Sequence, residues 1–164
     1  MKKKIIFLTS FLVFIDQLIK YFVSHNMSLF DKINVIPNFF DINYIRNDGG
    51  AFSILSGGRY FFIIITVIAL IFFIRVISMD KKISKFDVIT YSFVISGTIG
   101  NLIDRIIYGN VIDYIHFTIF NKSMAVFNFA DMCIVIGMIF FIYILIIKGD
   151  YDENNYSRKW FKWY

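Results

Sequence analysis

Residues 125–147 read AVFNFADMCIVIGMIFFIYILII, and this stretch decides the fold. From Phe129 onward it is long and apolar enough to cross a lipid bilayer as one helix, for which about 20 residues are needed. Its one charged residue, Asp131, stands near the beginning of the apolar run. An ionisable side chain at bilayer depth costs at least about 2.5–3.5 kcal/mol, so such a residue indicates a functional site by default. The stretch therefore predicts a membrane-spanning helix that carries a functional carboxylate.

The composition of the whole chain points to the same class of protein. Hydrophobic residues make up 58% of the 164 residues, and the mean hydropathy of +0.66 is too high for a soluble domain of this length. A single Cys excludes an internal disulfide bond and a multi-cysteine metal site. The net charge of +5 comes from basic residues beside apolar runs, which indicates membrane orientation rather than nucleic-acid binding.

Four apolar runs are each long enough to span the bilayer, at about residues 5–23, 60–79, 88–107 and 129–147. Residues 31–56 contain the only proline and alternate polar with β-prone residues, which predicts short strands. We therefore expect an all-α membrane protein of four transmembrane helices, with a small extracytoplasmic β-rich insert between spans 1 and 2. Residues 1–148 are expected to form a single intramembrane domain, followed by a basic and aromatic cytoplasmic tail at 149–164.

The positively charged residues predict the orientation of these spans. Eleven of the 17 Lys and Arg residues flank the span ends on the side of the two termini, and six lie on or toward the other side. Because Lys and Arg are enriched in cytoplasmic loops, both termini are expected in the cytoplasm. The N-terminal MKKK and the apolar run after it resemble a secretory signal peptide. Asp16 and Gln17 stand where cleavage would be needed, so we interpret this segment as an uncleaved first span.

With this topology, polar residues converge on the outer ends of the third and fourth spans. Asn101 and Asp104 fall on one helix face, and Asn128 and Asp131 are likewise three positions apart. Asp113 follows the third span by a few residues. Two helices thus each offer an Asn and an Asp at the same depth. Hydrogen bonding between membrane helices is an equally good explanation for the two asparagines.

Some charged residues are explained by structure alone. Asp16 and Lys20 are four residues apart in the first span and can neutralise each other. Asp104 can form a pair at the helix end with the adjacent Arg105. These four residues are therefore expected to support the fold as much as any chemistry.

Other titratable residues have no basic neighbour in the sequence. Asp113 and Asp131 belong to this group, and a purely structural role suits them least. His25 and His116 are isolated, so we interpret them as solvated polar residues near the membrane interface. The candidate chemistry therefore rests on two carboxylates.

Five motifs resemble, in order and spacing, those of the lipoprotein signal peptidase (signal peptidase II) family. They are DQLIK at 16–20, RNDGGAF at 46–52, GTIGNLIDR at 97–105, VIDY at 111–114 and FNFAD at 127–131. The resemblance extends over about residues 5–148. Ser96 stands where the family often has Gly, and Tyr114 where it often has Phe.

This resemblance implies an intramembrane aspartyl endopeptidase of the bacterial cytoplasmic (inner) membrane, with its active site near the outer face. Such an enzyme removes signal peptides from prolipoproteins just before a cysteine that carries diacylglycerol. The catalytic aspartates would be Asp113 and Asp131. Positions for substrate binding or support would be Asn47, Gly49, Asn101, Asp104, Arg105, Asn128, Asp16 and Lys20. Membrane lipids and globomycin-type inhibitors are implied as binding partners, with no metal, cofactor or nucleic acid.

A pair of carboxylates suits this chemistry, because two that lie close together cannot both ionise cheaply and so share a proton. The ionised one acts as a base on water, and the protonated one polarises the scissile carbonyl. The alternative is a small transporter or channel subunit with a relay of aspartates for protons or cations. It predicts carboxylates spread along the spans, whereas all but Asp16 cluster at one depth. A lipid-binding scaffold without catalysis, the third interpretation, would tolerate Asp→Asn changes.

Overall fold

The computed structural model describes residues 1–50, 55–80 and 82–151, which form four α-helices and four strands. In chain order, the helices are α1 (Lys2–Asn26), α2 (Arg59–Met79), α3 (Lys85–Ile107) and α4 (Phe129–Tyr151). The strands are β1 (Lys32–Ile36), β2 (Phe40–Asn47), β3 (Val111–Ile119) and β4 (Lys122–Ser123). Strands β1 and β2 lie between α1 and α2, and strands β3 and β4 lie between α3 and α4.

Each helix is long and apolar enough to cross a membrane, so the prediction of four spans is confirmed and the chain is a multi-pass membrane protein. The helices extend past the predicted spans because flanking polar residues continue the helical backbone beyond the apolar run. Helix α1, for example, covers Lys2–Asn26 where residues 5–23 were predicted. Helix α4 continues to Tyr151, and residues 152–164 of the predicted tail lie outside the described residues.

Helix α3 is central, since it contacts α1, α2 and α4. It begins with a capping box, in which Ser84 Oγ accepts the Asp87 N–H at 3.1 Å and Asp87 Oδ2 accepts the Ser84 N–H at 2.8 Å. One apolar cluster draws residues from all four helices near the termini, including Ile5, Phe73, Tyr91 and Phe141. Apolar packing therefore holds this end of the bundle, while the polar residues lie toward the other.

Glycines allow α3 to approach its neighbours closely. A Cβ atom at Gly137 would lie 2.6 Å from Val94 Cγ2 and 2.7 Å from the Val94 backbone nitrogen. At Gly97 it would collide with the carbonyl oxygen of Ala130. Small residues at membrane helix interfaces let backbones pack by van der Waals contact where no hydrophobic driving force exists.

The strands form one antiparallel sheet in the order β1-β2-β3-β4. The sequence predicted strands only within residues 31–56 and none between the third and fourth spans. The structure corrects this, because β3 pairs with the free edge of β2. The stretch VIDYIHFTI at 111–119 is rich in β-branched and aromatic residues, so the signal for a strand was present. The fold is therefore a four-helix bundle with a sheet built from two connections.

The register of β2 on β3 brings Asn47 to the same face as Asp113. Ile42 pairs with Ile115, but Ile45 pairs with Asp113, so β2 contains one extra residue between the two pairs. A bulge of this kind reverses the face on which the following side chains lie. Without it, Asn47 would face away from Asp113.

The sheet covers one end of the bundle. Helices α1 and α3 end there, and α2 and α4 begin there. Tyr44, Ile112 and Tyr114 form a second apolar cluster that packs against Ile19 and Val23 of α1. The sheet is thus anchored on the same helix that carries Asp16 and Lys20.

The Gly137→Ala variant is expected to unfold at a lower temperature in detergent. Adding a methyl group to this contact should cost about 1–3 kcal/mol in the free energy of unfolding, because a backbone nitrogen must move. Alanine is the better helix former by about 1 kcal/mol, so propensity alone predicts the opposite sign. Val67→Leu on the exposed face of α2 is the control and should change little. An unchanged or higher melting temperature for Gly137→Ala would contradict close packing of α3 on α4.

Candidate active site

Asp131 is held in the first turn of α4. Asn128 Oδ1 accepts the Asp131 N–H at 2.9 Å, and Asp131 Oδ2 accepts the Asn128 N–H at 3.1 Å, which together make a capping box. Asp131 Oδ1 accepts a hydrogen bond from Asn101 Nδ2 at 2.7 Å. Both carboxylate oxygens therefore have donors, and the positive end of the helix dipole favours their negative charge.

Two other elements satisfy the remaining free amides of this turn. The Phe129 N–H donates to Tyr114 Oη at 3.2 Å, and the Ala130 N–H donates to Asp16 Oδ1 at 3.0 Å. The first amides of a helix have no partner within it, and hydrocarbon supplies none. Strand β3 and helix α1 therefore fix the point at which α4 begins.

Asp113 lies on β3 and is 1% exposed. Its Oδ1 accepts from Asn128 Nδ2 at 2.6 Å, and its Oδ2 accepts from Asn47 Nδ2 at 3.0 Å. Burial, followed by the nearby negative charge of Asp131, raises the pKa of Asp113 from its usual 3.8 to about 7. Asp113 is therefore largely protonated below neutral pH.

The structure brings Asp113 and Asp131 together through Asn128. The side-chain amide nitrogen of Asn128 donates to Asp113, while its backbone nitrogen and side-chain oxygen both bond to Asp131. The predicted convergence of Asn101, Asn128 and the two aspartates is thus present in direct hydrogen bonds.

A buried ammonium lies behind this pair. Lys20 is 2% exposed, and its Nζ is 2.9 Å from Asp16 Oδ2 and 2.8 Å from Asp104 Oδ2. It also donates to Asn101 Oδ1 at 3.0 Å. The predicted pair of Asp16 and Lys20 is confirmed. The suggested pair of Asp104 with Arg105 is wrong, because the Asp104 carboxylate turns to Lys20 on α1 instead.

Asp104 also holds the beginning of β3. Its Oδ2 accepts the N–H of Ile112 at 3.1 Å, and Ile112 directly precedes Asp113 in the chain. Gln17, which was not among the candidate site residues, donates through Nε2 to Asp104 Oδ1 at 3.0 Å and to Asp16 Oδ2 at 3.1 Å. Its position inside the motif at 16–20 was the available signal.

The orientation of the Asn101 amide follows from these contacts. Its Oδ1 accepts from Lys20 Nζ and from Asn128 Nδ2, both of which are only donors there. Its Nδ2 is therefore directed at Asp131. The buried lysine thus determines which end of this amide the candidate carboxylate meets.

Arg105 and the loop after β2 close the other side of the site. Arg105 Nη2 donates to the Gly49 carbonyl at 3.1 Å, and its guanidinium lies 4.9 Å from the ring centroid of Phe62 on α2. The Gly49 N–H donates to Asn47 Oδ1 at 3.0 Å, which leaves Asn47 Nδ2 to face Asp113. The loop thereby sets the orientation of the Asn47 amide.

A cavity of about 550 Å³ opens beside the two aspartates. Its polar wall includes Asn47, Asn101 and Arg105 with Asp113 and Asp131. Its apolar wall comes mainly from α4 and the segment before it, namely Val111, Ala125, Val126, Phe127, Met132, Ile134, Val135 and Ile136. Within the described residues, no group of three His, Cys, Asp or Glu side chains could hold a metal ion. The cavity can receive an extended apolar chain beside a pair of carboxylates.

Together, the four membrane helices and the paired carboxylates at the wall of a cavity are the arrangement expected of a membrane-embedded enzyme. The model of the family described as Signal peptidase (SPase) II matches residues 8–147. The lipoprotein signal peptidase of Staphylococcus aureus (strain JH9) is 39% identical over 154 residues, which cover 94% of this chain and 92% of that protein. The chain belongs to the signal peptidase II family, and it is an aspartic peptidase.

Two solved structures share the fold, and both are described as a bacterial membrane enzyme determined by the in meso method. The one at 2.3 Å resolution has a TM-score of 0.80 and 37% identity, and covers 94% of this chain and 92% of that chain. The one at 1.9 Å resolution has a TM-score of 0.78 and 38% identity, and covers 87% of this chain and 92% of that chain.

Replacing Lys20 by Met is expected to destabilise the protein by about 3–5 kcal/mol, because it leaves two buried carboxylates without their cation. Thermal unfolding in detergent measures the loss. Lys2→Met on the exposed start of α1 is the control, since among the described residues that ammonium donates to one backbone carbonyl, at 3.3 Å. Equal melting temperatures for the two variants would contradict the assigned role of Lys20.

Proposed function

We propose that Asp113 and Asp131 are the catalytic pair of this peptidase, and that it cuts prolipoproteins immediately before a diacylglyceryl-modified cysteine. Removal of signal peptides from prolipoproteins is the activity of the family to which the chain belongs. The observation that carries the assignment is the bridge through Asn128, which joins both aspartates at the wall of one cavity. No finding supports the alternative of a proton or cation relay.

The two aspartates have different surroundings, which supports different roles for them in the proposed reaction. Asp113, with its pKa raised to about 7, supplies the proton. Asp131 accepts from Asn101 Nδ2 and the Asn128 N–H at the positive end of α4, which suits the ionised partner. Asp131 takes a proton from a water molecule while the oxygen of that water attacks the scissile carbonyl carbon. Asp113 protonates the carbonyl oxygen. The C–N bond then breaks as the amine takes the proton from Asp131 and the diol returns one to Asp113.

The substrate is proposed to enter between the helices and the loop at 47–50. The peptide backbone runs along the polar wall, where Arg105 and Asn47 are held by the Gly49 backbone. The acyl chains of the lipidated cysteine lie along the apolar wall formed by α4 and continue into the bilayer. Globomycin-type inhibitors are proposed to occupy the same cavity.

We further propose that the site faces the outer side of the bacterial cytoplasmic membrane, with both termini in the cytoplasm. Eleven of the 17 basic residues lie on the side of the termini. Of the six others, Lys20 and Arg105 make contacts within the site. The number of basic residues that could act as flanking charges on the side of the sheet is therefore smaller still. Residues 1–148 form the proposed peptidase unit, and 149–164 the proposed cytoplasmic tail.

Asp113→Asn and Asp131→Asn are each expected to lower cleavage of a diacylglyceryl prolipopeptide by at least about a thousandfold. When two residues act as one catalytic unit, replacing either of them removes nearly all of the activity. An amide keeps the shape but cannot donate or take the proton. Asp31→Asn is the matched control, because this exposed carboxylate accepts the Ser28 N–H at 2.7 Å and lies outside both the cavity and the loop at 47–50. Melting temperatures within a few degrees of the parent would separate lost chemistry from lost fold. Substantial turnover in either variant would overturn the assignment.

Cleavage is expected to fall about tenfold per pH unit above about pH 7, where Asp113 loses the proton that it must donate. The measurement is kcat/KM between pH 6 and 9. A raised carboxyl pKa means that the folded state keeps a proton that the unfolded chain has lost. Asp113 therefore lowers stability as pH rises from about 4 to 7 and adds no further change above that. A flat activity profile up to pH 9 would contradict the role of Asp113.

A further inference from the structure

A second polar cluster crosses the sheet on the face opposite Asp113. His116 on β3 is 5% exposed, which corrects the interpretation of this residue as solvated. Its Nδ1 lies 3.1 Å from Asp41 Oδ2 on β2, and its Nε2 lies 2.8 Å from Ser123 Oγ on β4. Asp113 and His116 are three positions apart on one strand, so their side chains leave opposite faces. This cluster contributes nothing to the wall of the peptidase cavity.

The surroundings of Asp41 fix the tautomer of the imidazole. Asp41 is 2% exposed and accepts from Asn34 Nδ2 at 2.9 Å, and Lys32 Nζ lies 2.9 Å from its Oδ2. The contact with Lys32 lowers the pKa of Asp41 below its usual 3.8. A carboxylate that stays ionised only accepts, so the neutral imidazole carries its proton on Nδ1. The lone pair of Nε2 then faces the Ser123 hydroxyl.

We propose that Asp41, His116 and Ser123 form a second nucleophilic site, in which Ser123 attacks carboxylic esters that carry an apolar acyl group. An acid that orients an imidazole, and an imidazole that accepts the serine proton, are recognised by geometry and role rather than by sequence order. Ser123 is exposed on the short strand β4, so a substrate can reach its hydroxyl. Its exposed apolar neighbours Ile119, Phe120 and Met124 favour an acyl chain over a charged group.

The reaction would proceed by acyl transfer. Ser123 Oγ bonds to the ester carbonyl carbon while its proton passes to His116 Nε2. The bond from that carbon to the alcohol oxygen breaks, and His116 returns the proton to the departing alcohol. Water then attacks the acyl-serine, with its proton taken by His116 and given to Ser123 Oγ, which releases the carboxylic acid. Asp41 keeps the imidazole in the required tautomer throughout.

A fluorophosphonate probe tests the site on the purified full chain in detergent micelles. The probe should label the parent protein at one serine, which peptide mass spectrometry should identify as Ser123. Ser123→Ala should abolish the labelling, and His116→Gln and Asp41→Asn should slow it at least tenfold. Hydrolysis of p-nitrophenyl butyrate should follow the same order.

Two controls separate this site from the rest of the molecule. Ser56→Ala should leave labelling unchanged, because Ser56 Oγ bonds the Asp48 carboxylate at 2.7 Å and has no imidazole beside it. Asp113→Asn should also label normally, whereas Ser123→Ala should retain cleavage of a diacylglyceryl prolipopeptide, which reports an intact fold. An unlabelled parent protein, a label mapped to another serine, or unchanged labelling of His116→Gln would each overturn the proposal and leave the cluster with a structural role only.

Discussion

The rest of the structure depends on the ammonium group of Lys20, held away from water at the polar end of the bundle. Burying an isolated charge costs several kcal/mol, which only close opposite charges and hydrogen bonds can offset. Asp16, Asp104 and Asn101 supply them from two helices, and each reaches a further element. Asp16 accepts a hydrogen bond from a backbone N–H of α4, and Asp104 accepts one from a backbone N–H of β3. Asn101 donates a hydrogen bond to Asp131. One positive charge therefore determines where α1, α3, β3 and α4 meet.

Side-chain amides connect the Lys20 ammonium and the loop after β2 to Asp113 and Asp131. An amide has one accepting end and one donating end, so a partner fixed at one end determines what the other presents. Lys20 fixes Asn101 in this way, and the Gly49 N–H fixes Asn47. The donors that face the two aspartates are thus set before a substrate arrives. In the proposed reaction, dipoles that are already directed at the two carboxylates need no rearrangement when charge shifts between them.

The helices and the core of the site could be predicted because their signals are local. The four apolar runs gave four helices, and the spacing of Asp16 and Lys20 gave their ion pair. The sheet was only half predicted, because its pairing joins strands more than 60 residues apart. The bulge between Ile42 and Ile45 exists only in relation to β3, so no pattern within β2 could indicate that Asn47 faces Asp113. The engagement of His116 was hidden for the same reason, since its partners lie on other strands.

The i, i+4 spacing of Asp16 and Lys20 also bears on how the chain is made. Segments of a nascent protein emerge from the N-terminus onward, so α1 meets the lipid before α3 exists to supply Asp104 and Asn101. Because α1 already contains both a carboxylate and an ammonium within one turn, it can enter the bilayer as a neutral segment. The ammonium gains its second carboxylate when α3 arrives, and the site is completed only by α4, which brings Asp131. The candidate site therefore gathers its two carboxylates only when the last helix is in place.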